Sequence, residues 1–274
     1  MLRDTRISFI GSGNMAEAII RGVLTKELVE PGHLLASDAL PDRLAFLSEE
    51  YEVETTNDNK HAAQSADIVV LSVKPQILPQ VLLQLAGAVR SDALVLSIVA
   101  GASIEQIAGG LQHRPIVRVM PNTPAMIGEG MSVWTATPQV SEAQKEQTRA
   151  ILQALGEEVQ VPDEHHVDMA TALSGSGPAY VFLFIEALID AGVHLGFSRP
   201  VAEKIVLQTV EGSAALARQM GLHPAELRNR VTSPAGTTAE ALYELEQGAL
   251  RATLARAVWA AYNKTRDLGG HKDR

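Results

Sequence analysis

The sequence contains no cysteine. That absence removes disulfides, thiolate nucleophiles and every Cys-ligated metal or iron–sulfur centre at once, and it suits a reducing compartment. Aromatic side chains are scarce too, with 2 Trp, 4 Tyr and 5 Phe in 274 residues. The core must therefore be aliphatic, as in a parallel sheet covered by helices. Positive charge is in deficit, because 23 Lys and Arg against 32 Asp and Glu leave a net −9. No basic surface for a nucleic acid follows from that balance. The most apolar long stretch, Pro178 to Gly196, carries Glu186 and Asp190 one helical turn apart. A bilayer would leave both carboxylates without partners, so no membrane association is expected. Met1 to Asp4 runs directly into the strand-like Ile7–Ile10. No targeting segment is read there, and a cytoplasmic protein is expected.

What is present has a clear order. At roughly 150 residues per domain the length allows one to two domains. Short apolar runs at Ile7–Ile10, Leu34–Ser37, Val53–Thr55, Ile68–Ser72, Leu94–Val99, Ile116–Met120, Met131–Thr135 and Val159–Val161 read as strands. Helix-length segments such as Ala16–Leu24, Pro41–Glu50, Pro79–Ala88 and Glu142–Leu155 lie between them. This alternation predicts βαβ units and a mostly parallel, Rossmann-like sheet over residues 1–162. After Pro162 the strand signals stop, and helices are read over Val167–Leu195, Pro200–Met220, Pro224–Asn229, Thr238–Gln247 and Leu250–Leu268. The second domain, 163–274, is Ala-rich and aliphatic nearly all round, more than a small helical unit can hide alone. A subunit interface is expected through these helices. Gly269 to Arg274 reads as a frayed tail.

Five segments can carry chemistry. Gly11-Ser12-Gly13-Asn14-Met15-Ala16 is a G-x-G-x-x-A between a strand and a helix, where glycines permit close approach of a pyrophosphate and the helix N-terminus offers N–H groups. Asp38 ends the second strand 22 residues beyond Ala16, where a ribose-binding acid is expected. It favours NADH over NADPH unless a neighbour such as Arg43 offsets it, and it reads equally well as a turn aspartate before Pro41. Ser72-Val73-Lys74-Pro75 and Ile98-Val99-Ala100-Gly101 close the fourth and fifth strands, on the edge where α/β sheets bind ligands. Lys74 is there either as a ligand contact or as a solvated loop cation. Asn122 stands in the rigid Pro121–Pro124 loop with a donor and an acceptor to offer. Leu173 to Tyr180 holds a second glycine pair, read chiefly as close backbone packing with Pro178 in the first turn of a helix capped by Gly177 or Ser176. Finally, Val231 to Glu240 is a hydroxyl-rich loop, and Thr237-x-x-Glu240 has the spacing of a capping box. The eight histidines show no pair of metal-ligand spacing, so a metal site is not expected.

Together these segments resemble the pyrroline-5-carboxylate reductases. The blocks are G-S-G-N-M-A at 11–16, S-V-K-P-Q at 72–76, R-V-M-P-N-T-P-A at 118–125, S-G-S-G-P-A-Y-V-F at 174–182 and H-P-A-E-L-R-N-R-V-T-S-P-A-G-T-T at 223–238. The resemblance implies a Rossmann-like domain, an all-helical dimerisation domain, and homodimers that often assemble further into decamers. It implies NADPH or NADH held by Gly11–Ala16, Asn59, Ser72–Pro75 and Ile98–Ala100. It also implies 1-pyrroline-5-carboxylate as substrate, held by Ser233, Gly236, Thr237 and Thr238, with Asn122 alongside and Thr237 as the catalytic donor. Reduction of that imine to L-proline, the last step of proline biosynthesis, needs no strong base, in keeping with the lack of a His, Cys or metal constellation. Two positions depart from the family. Ala235 stands where the first of two glycines is usual, and Asp38 occupies a position often neutral in members that prefer NADPH. The alternatives are a β-hydroxyacid dehydrogenase-like oxidoreductase, which would place a lysine on the helix after Gly177, and a dinucleotide-binding sensor without turnover. No lysine follows Gly177 before Lys204.

Overall fold

The structure, a computed structural model, describes residues 2–269. Two compact units are present: residues up to Ser176 together with those from Ala261 onward, and Gly177–Ala260 between them. The reading of the last residues as a frayed tail falls, from Gly270 onward, outside the described residues.

The first unit is built on one eight-stranded sheet. Its strands are β1 (Ile7–Ile10), β2 (Leu34–Ser37), β3 (Glu54–Thr56), β4 (Ile68–Leu71), β5 (Leu94–Ser97), β6 (Ile116–Met120), β7 (Gly130–Ala136) and β8 (Gly156–Gln160). They lie in the order β3-β2-β1-β4-β5-β6-β7-β8, and all neighbouring pairs are parallel except β6 with β7. Strands buried on both faces need no polar alternation, which is why β4 is a continuous apolar run and β1 is apolar but for the buried Ser8. One face packs on α1 (Asn14–Thr25), α2 (Pro41–Tyr51) and α6 (Glu142–Gln153), with Phe9, Ile19, Ile20, Leu47, Val70 and Ile151 in a single apolar cluster. The other face packs on α3 (Asn59–Gln64), α4 (Leu78–Leu85) and α5 (Ile104–Leu111). The strand order reverses between β1 and β4, and both loops there leave the carboxyl end of the sheet, the crevice where such folds bind ligands.

The remaining helices are α7 (Glu164–Ala170), α8 (Gly177–His194), α9 (Arg199–Met220), α10 (Pro224–Arg230), α11 (Thr237–Gln247) and α12 (Leu250–Leu268). The turn between α7 and α8, Thr171–Gly175, is π-helical, so Glu164–His194 runs on as one helical stretch of 31 residues. It is long and apolar enough to cross a membrane by length and composition. Within Gly177–Ala260 the core is confined to Ile189, Ala202 and Val206, flanked by Ile185 and Val210. Phe182, Leu183 and Leu195 are 61%, 67% and 82% exposed.

The compact units and the sequence boundary divide the chain differently. The sequence places a single cut after 162, whereas residues 163–176 and 261–269 pack with the sheet. Arg118 of β6 is the cause for α7: its guanidinium, 4% exposed, pairs with Glu164 at 3.0 Å and Asp168 at 2.5 Å. The Tyr262 hydroxyl lies 3.2 Å from His165 Nδ1, and Gly101 leaves no room for a Cβ against Leu268. Those contacts hold the end of α12 in the first unit.

Candidate active site

The loop from β1 to α1 is shaped by Gly11. Its φ is +85°, and a Cβ there would lie 2.7 Å from both the Ser72 carbonyl oxygen and Val73 Cγ1. Only glycine permits this turn beside the loop after β4. Gly13 differs, since its φ is −69° and a Cβ would meet nothing within 4 Å. The space over Gly13 is an open cradle at the N-terminus of α1, where the helix presents N–H donors. Residues Asn14, Met15 and Ala16 form the first turn of that helix, and Ala16 is buried against the sheet.

The cradle is braced from β2. Ser12 N–H donates to Asp38 Oδ2 at 2.8 Å, and Ser12 Oγ donates to the Ser37 carbonyl at 3.1 Å. Asp38 Oδ1 accepts from Leu40 N–H at 3.0 Å. Arg43 donates through Nε to the Ser12 carbonyl at 2.6 Å and pairs with Glu17 at 2.5 Å. Ser37 Oγ donates to Asn59 Oδ1 at 2.8 Å, which brings Asn59 to the same corner. Ile98 N–H bonds the Leu71 carbonyl at 3.0 Å, so the loop through Val99 and Ala100 leaves the sheet beside Ser72–Pro75. Lys74 in that loop is exposed. These residues suit a dinucleotide: a glycine cradle for the pyrophosphate, an acid for the ribose and an apolar turn at the next strand end.

A second candidate site lies in the other unit, on the loop into α11. Gly236 N–H donates to the Ser233 carbonyl at 3.1 Å, closing a turn with Pro234 and Ala235 at its centre. Ala235 has φ +56°. A Cβ on Gly236 would collide with the Ser233 hydroxyl.

Two family models match this chain. One, described as pyrroline-5-carboxylate reductase dimerisation, covers residues 164–268, and the other, NADP oxidoreductase coenzyme F420-dependent, covers residues 6–101. A pyrroline-5-carboxylate reductase from Pseudomonas aeruginosa is 43% identical over 266 residues, covering 96% of this chain and 96% of the relative. The chain belongs to the pyrroline-5-carboxylate reductase family. A relative of the same name from Synechocystis sp. is 41% identical over 264 residues, covering 96% of this chain and 98% of its own length. The crystal structure of Plasmodium falciparum pyrroline carboxylate reductase with NADP bound superposes with a TM-score of 0.89 at 32% identity, covering 97% of this chain and 99% of that one.

In this pyrroline-5-carboxylate reductase family member the hydroxyl loop departs from one sequence expectation. Thr237 is not the N-cap of α11. Gly236 takes that place in extended conformation, φ −85° and ψ 164°, and its carbonyl accepts from Ala239 N–H at 3.0 Å. No side-chain cap forms, so the Thr237-x-x-Glu240 spacing makes no capping box. Glycine serves as an N-cap without a side chain, which shifts the helix start by one residue. The Thr237 hydroxyl is exposed and is left with its proton to donate.

Asn122 has a structural task that its sequence position does not announce. Its Oδ1 accepts from Met131 N–H at 2.8 Å, and its Nδ2 donates to the Ser174 carbonyl at 3.2 Å. That carbonyl needs a donor, because the residue four positions on is Pro178, which has no N–H. One amide N–H of Asn122 remains. Of the second glycine pair, Gly175 packs against Met120, while a Cβ on Gly177 would meet open space. Close packing therefore accounts for Gly175 alone.

Proposed function

We propose that this chain reduces 1-pyrroline-5-carboxylate to L-proline with NADPH or NADH, the closing step of proline biosynthesis. The observation that carries the proposal is Thr237: a hydroxyl at the start of α11 that the helix itself does not use. The nicotinamide, when bound, supplies the hydride. Gly11–Ala16, Asp38, Asn59, Ser72–Pro75 and Ile98–Ala100 hold the cofactor. Thr237 donates its hydroxyl proton to a hydrogen bond with the ring nitrogen of the neutral imine, and its oxygen accepts from that nitrogen once it is protonated. The first N–H groups of α11, with Ser233, Gly236 and Thr238, hold the carboxylate, as helix N-termini hold anions. Asn122, in the cofactor domain of a second copy of the chain, contributes its remaining N–H at the substrate. A protonated imine is already electrophilic, so orientation and dipoles suffice and no side-chain base is required.

The exposed apolar helices support the partner reading. We assign their cover to a second copy of this chain through the helices within residues 164–268, with further assembly into a decamer, rather than to a bilayer. Asp190 in α8 is ion-paired with Arg199 at 2.8 Å on an exposed face, an arrangement that suits water and not lipid. A cytoplasmic location accords with the cysteine-free sequence. Imine-dependent oxidation of the reduced cofactor, with proline as product, tests the reaction. Native mass determination tests the assembly, and a monomer would overturn it.

A further inference from the structure

We propose that this chain takes NADH in preference to NADPH, and that Asp38 sets the choice. The inference rests on the reductase reading for its cofactor class, and it is carried by how the adenosine corner is built. Asp38 follows β2 directly, with its two oxygens fixed by Ser12 N–H at 2.8 Å and Leu40 N–H at 3.0 Å. These bonds tie the carboxylate to the glycine turn, at the strand end where a ribose is read. The sequence left open whether Asp38 is a turn aspartate or a ribose acceptor. The bond to Leu40 N–H makes it the first, and the bond to Ser12 N–H aims it for the second.

Fixed in this way, the carboxylate is an acceptor with lone pairs to spare and no donor. Ribose hydroxyls are donors and match it. A 2′-phosphate is an anionic acceptor and is repelled, unless a cation is free to come between. The cation that the contacts place at this corner is Arg43, and its guanidinium is committed. Nε donates to the Ser12 carbonyl at 2.6 Å, the terminal nitrogen donates to the Gly13 carbonyl at 3.4 Å and pairs with Glu17 at 2.5 Å, and Phe46 lies under it at 5.2 Å. Turning Arg43 toward a phosphate would give up the Glu17 pair and two loop carbonyls together. Arg43 is therefore a strut of the glycine loop, and the corner keeps its acidic character.

The test is direct binding of each reduced cofactor to the whole protein, read by nicotinamide fluorescence without substrate, alongside turnover. The wild type is expected to bind NADH about tenfold more tightly than NADPH or better, and Asp38→Ser to lower that ratio by about tenfold. Arg43→Ala should weaken both cofactors by similar factors, with Arg43→Lys as the milder variant should the alanine form not fold. NADPH binding as tightly as NADH in the wild type would overturn the proposal. So would a ratio unmoved by Asp38→Ser, or a loss confined to NADPH in the Arg43 variants. Absence of imine-dependent turnover with both cofactors would count against the proposed reaction instead, and the binding ratio would still report on Asp38.

Discussion

Gly11 and Gly13 stand two residues apart in one loop, yet substitution by alanine should have opposite consequences. At Gly11 a side chain must adopt φ +85°, which costs an L-residue about 1–2 kcal/mol. Its Cβ would also press to 2.7 Å against the Ser72 carbonyl oxygen and Val73 Cγ1. Overpacking of this kind costs about 1–3 kcal/mol, so Gly11→Ala should lose about 2–5 kcal/mol. At about 2–4 °C per kcal/mol for a unit of this size, the melting temperature falls by roughly 4–20 °C. Gly13 sits at φ −69° with nothing within 4 Å of a Cβ. Alanine is a poorer N-cap than glycine by about 1 kcal/mol, but a stiffer unfolded chain returns about 0.4–1 kcal/mol. Gly13→Ala should thus melt within a few degrees of the wild type. Its methyl group occupies the cradle, however, and cofactor affinity should drop about tenfold or more, roughly 1.4 kcal/mol. Thermal melting and fluorescence titration on the two variants decide the matter. Undiminished cofactor binding by Gly13→Ala, or wild-type melting of Gly11→Ala, would refute the assignment of this loop.

Three further outcomes follow from the same geometry. Thr237→Ala should lower turnover by at least about tenfold while the melting temperature and cofactor affinity stay near wild type, because the hydroxyl caps nothing; a marked loss of stability would return Thr237 to a structural role. Ala235→Gly relieves the φ of +56°, worth about 1–2 kcal/mol, against about 0.4–1 kcal/mol of added chain entropy. Melting should therefore rise slightly, and a fall would contradict the strained turn. His113 is buried with Nε2 2.8 Å from the Ala93 carbonyl, and burial pushes its imidazole below the usual 6.5. The unfolded chain then takes up a proton that the fold refuses, so stability contributed by His113 is present above pH 6.5 and lost as the pH falls below it. His113→Gln should flatten that part of the melting profile, and an unchanged slope would remove His113 as the cause.

Much of the fold is legible in the chain because buried parallel strands are short, mostly apolar runs. β1, β2 and β6 begin and end where the periodicity puts them, and β8 is longer toward its start because Gly156 joins the ladder opposite Gly130. The glycine cradle and Asp38 are legible for the same reason, since strand, turn and helix fix their spacing. Features made by distant pairing are not. Nothing in the sequence around Arg118 says that it will be buried between Glu164 and Asp168, 46 and 50 residues away. The hold of Asn122 on the Ser174 carbonyl depends on a proline in another element, and the π-helical turn at Thr171–Gly175 leaves no periodic signal. The false capping box at Thr237 is local but instructive: a glycine next to a threonine offers two helix starts, and the backbone used the one without a side chain.

Steady-state turnover with 1-pyrroline-5-carboxylate and both reduced cofactors, measured side by side with the amount of L-proline formed, bears most directly on the central claim. Oxidation of NADH, and more weakly of NADPH, should occur only when imine and protein are both present, with one proline formed per cofactor consumed. Cofactor binding with no oxidation, or oxidation without proline, would contradict it.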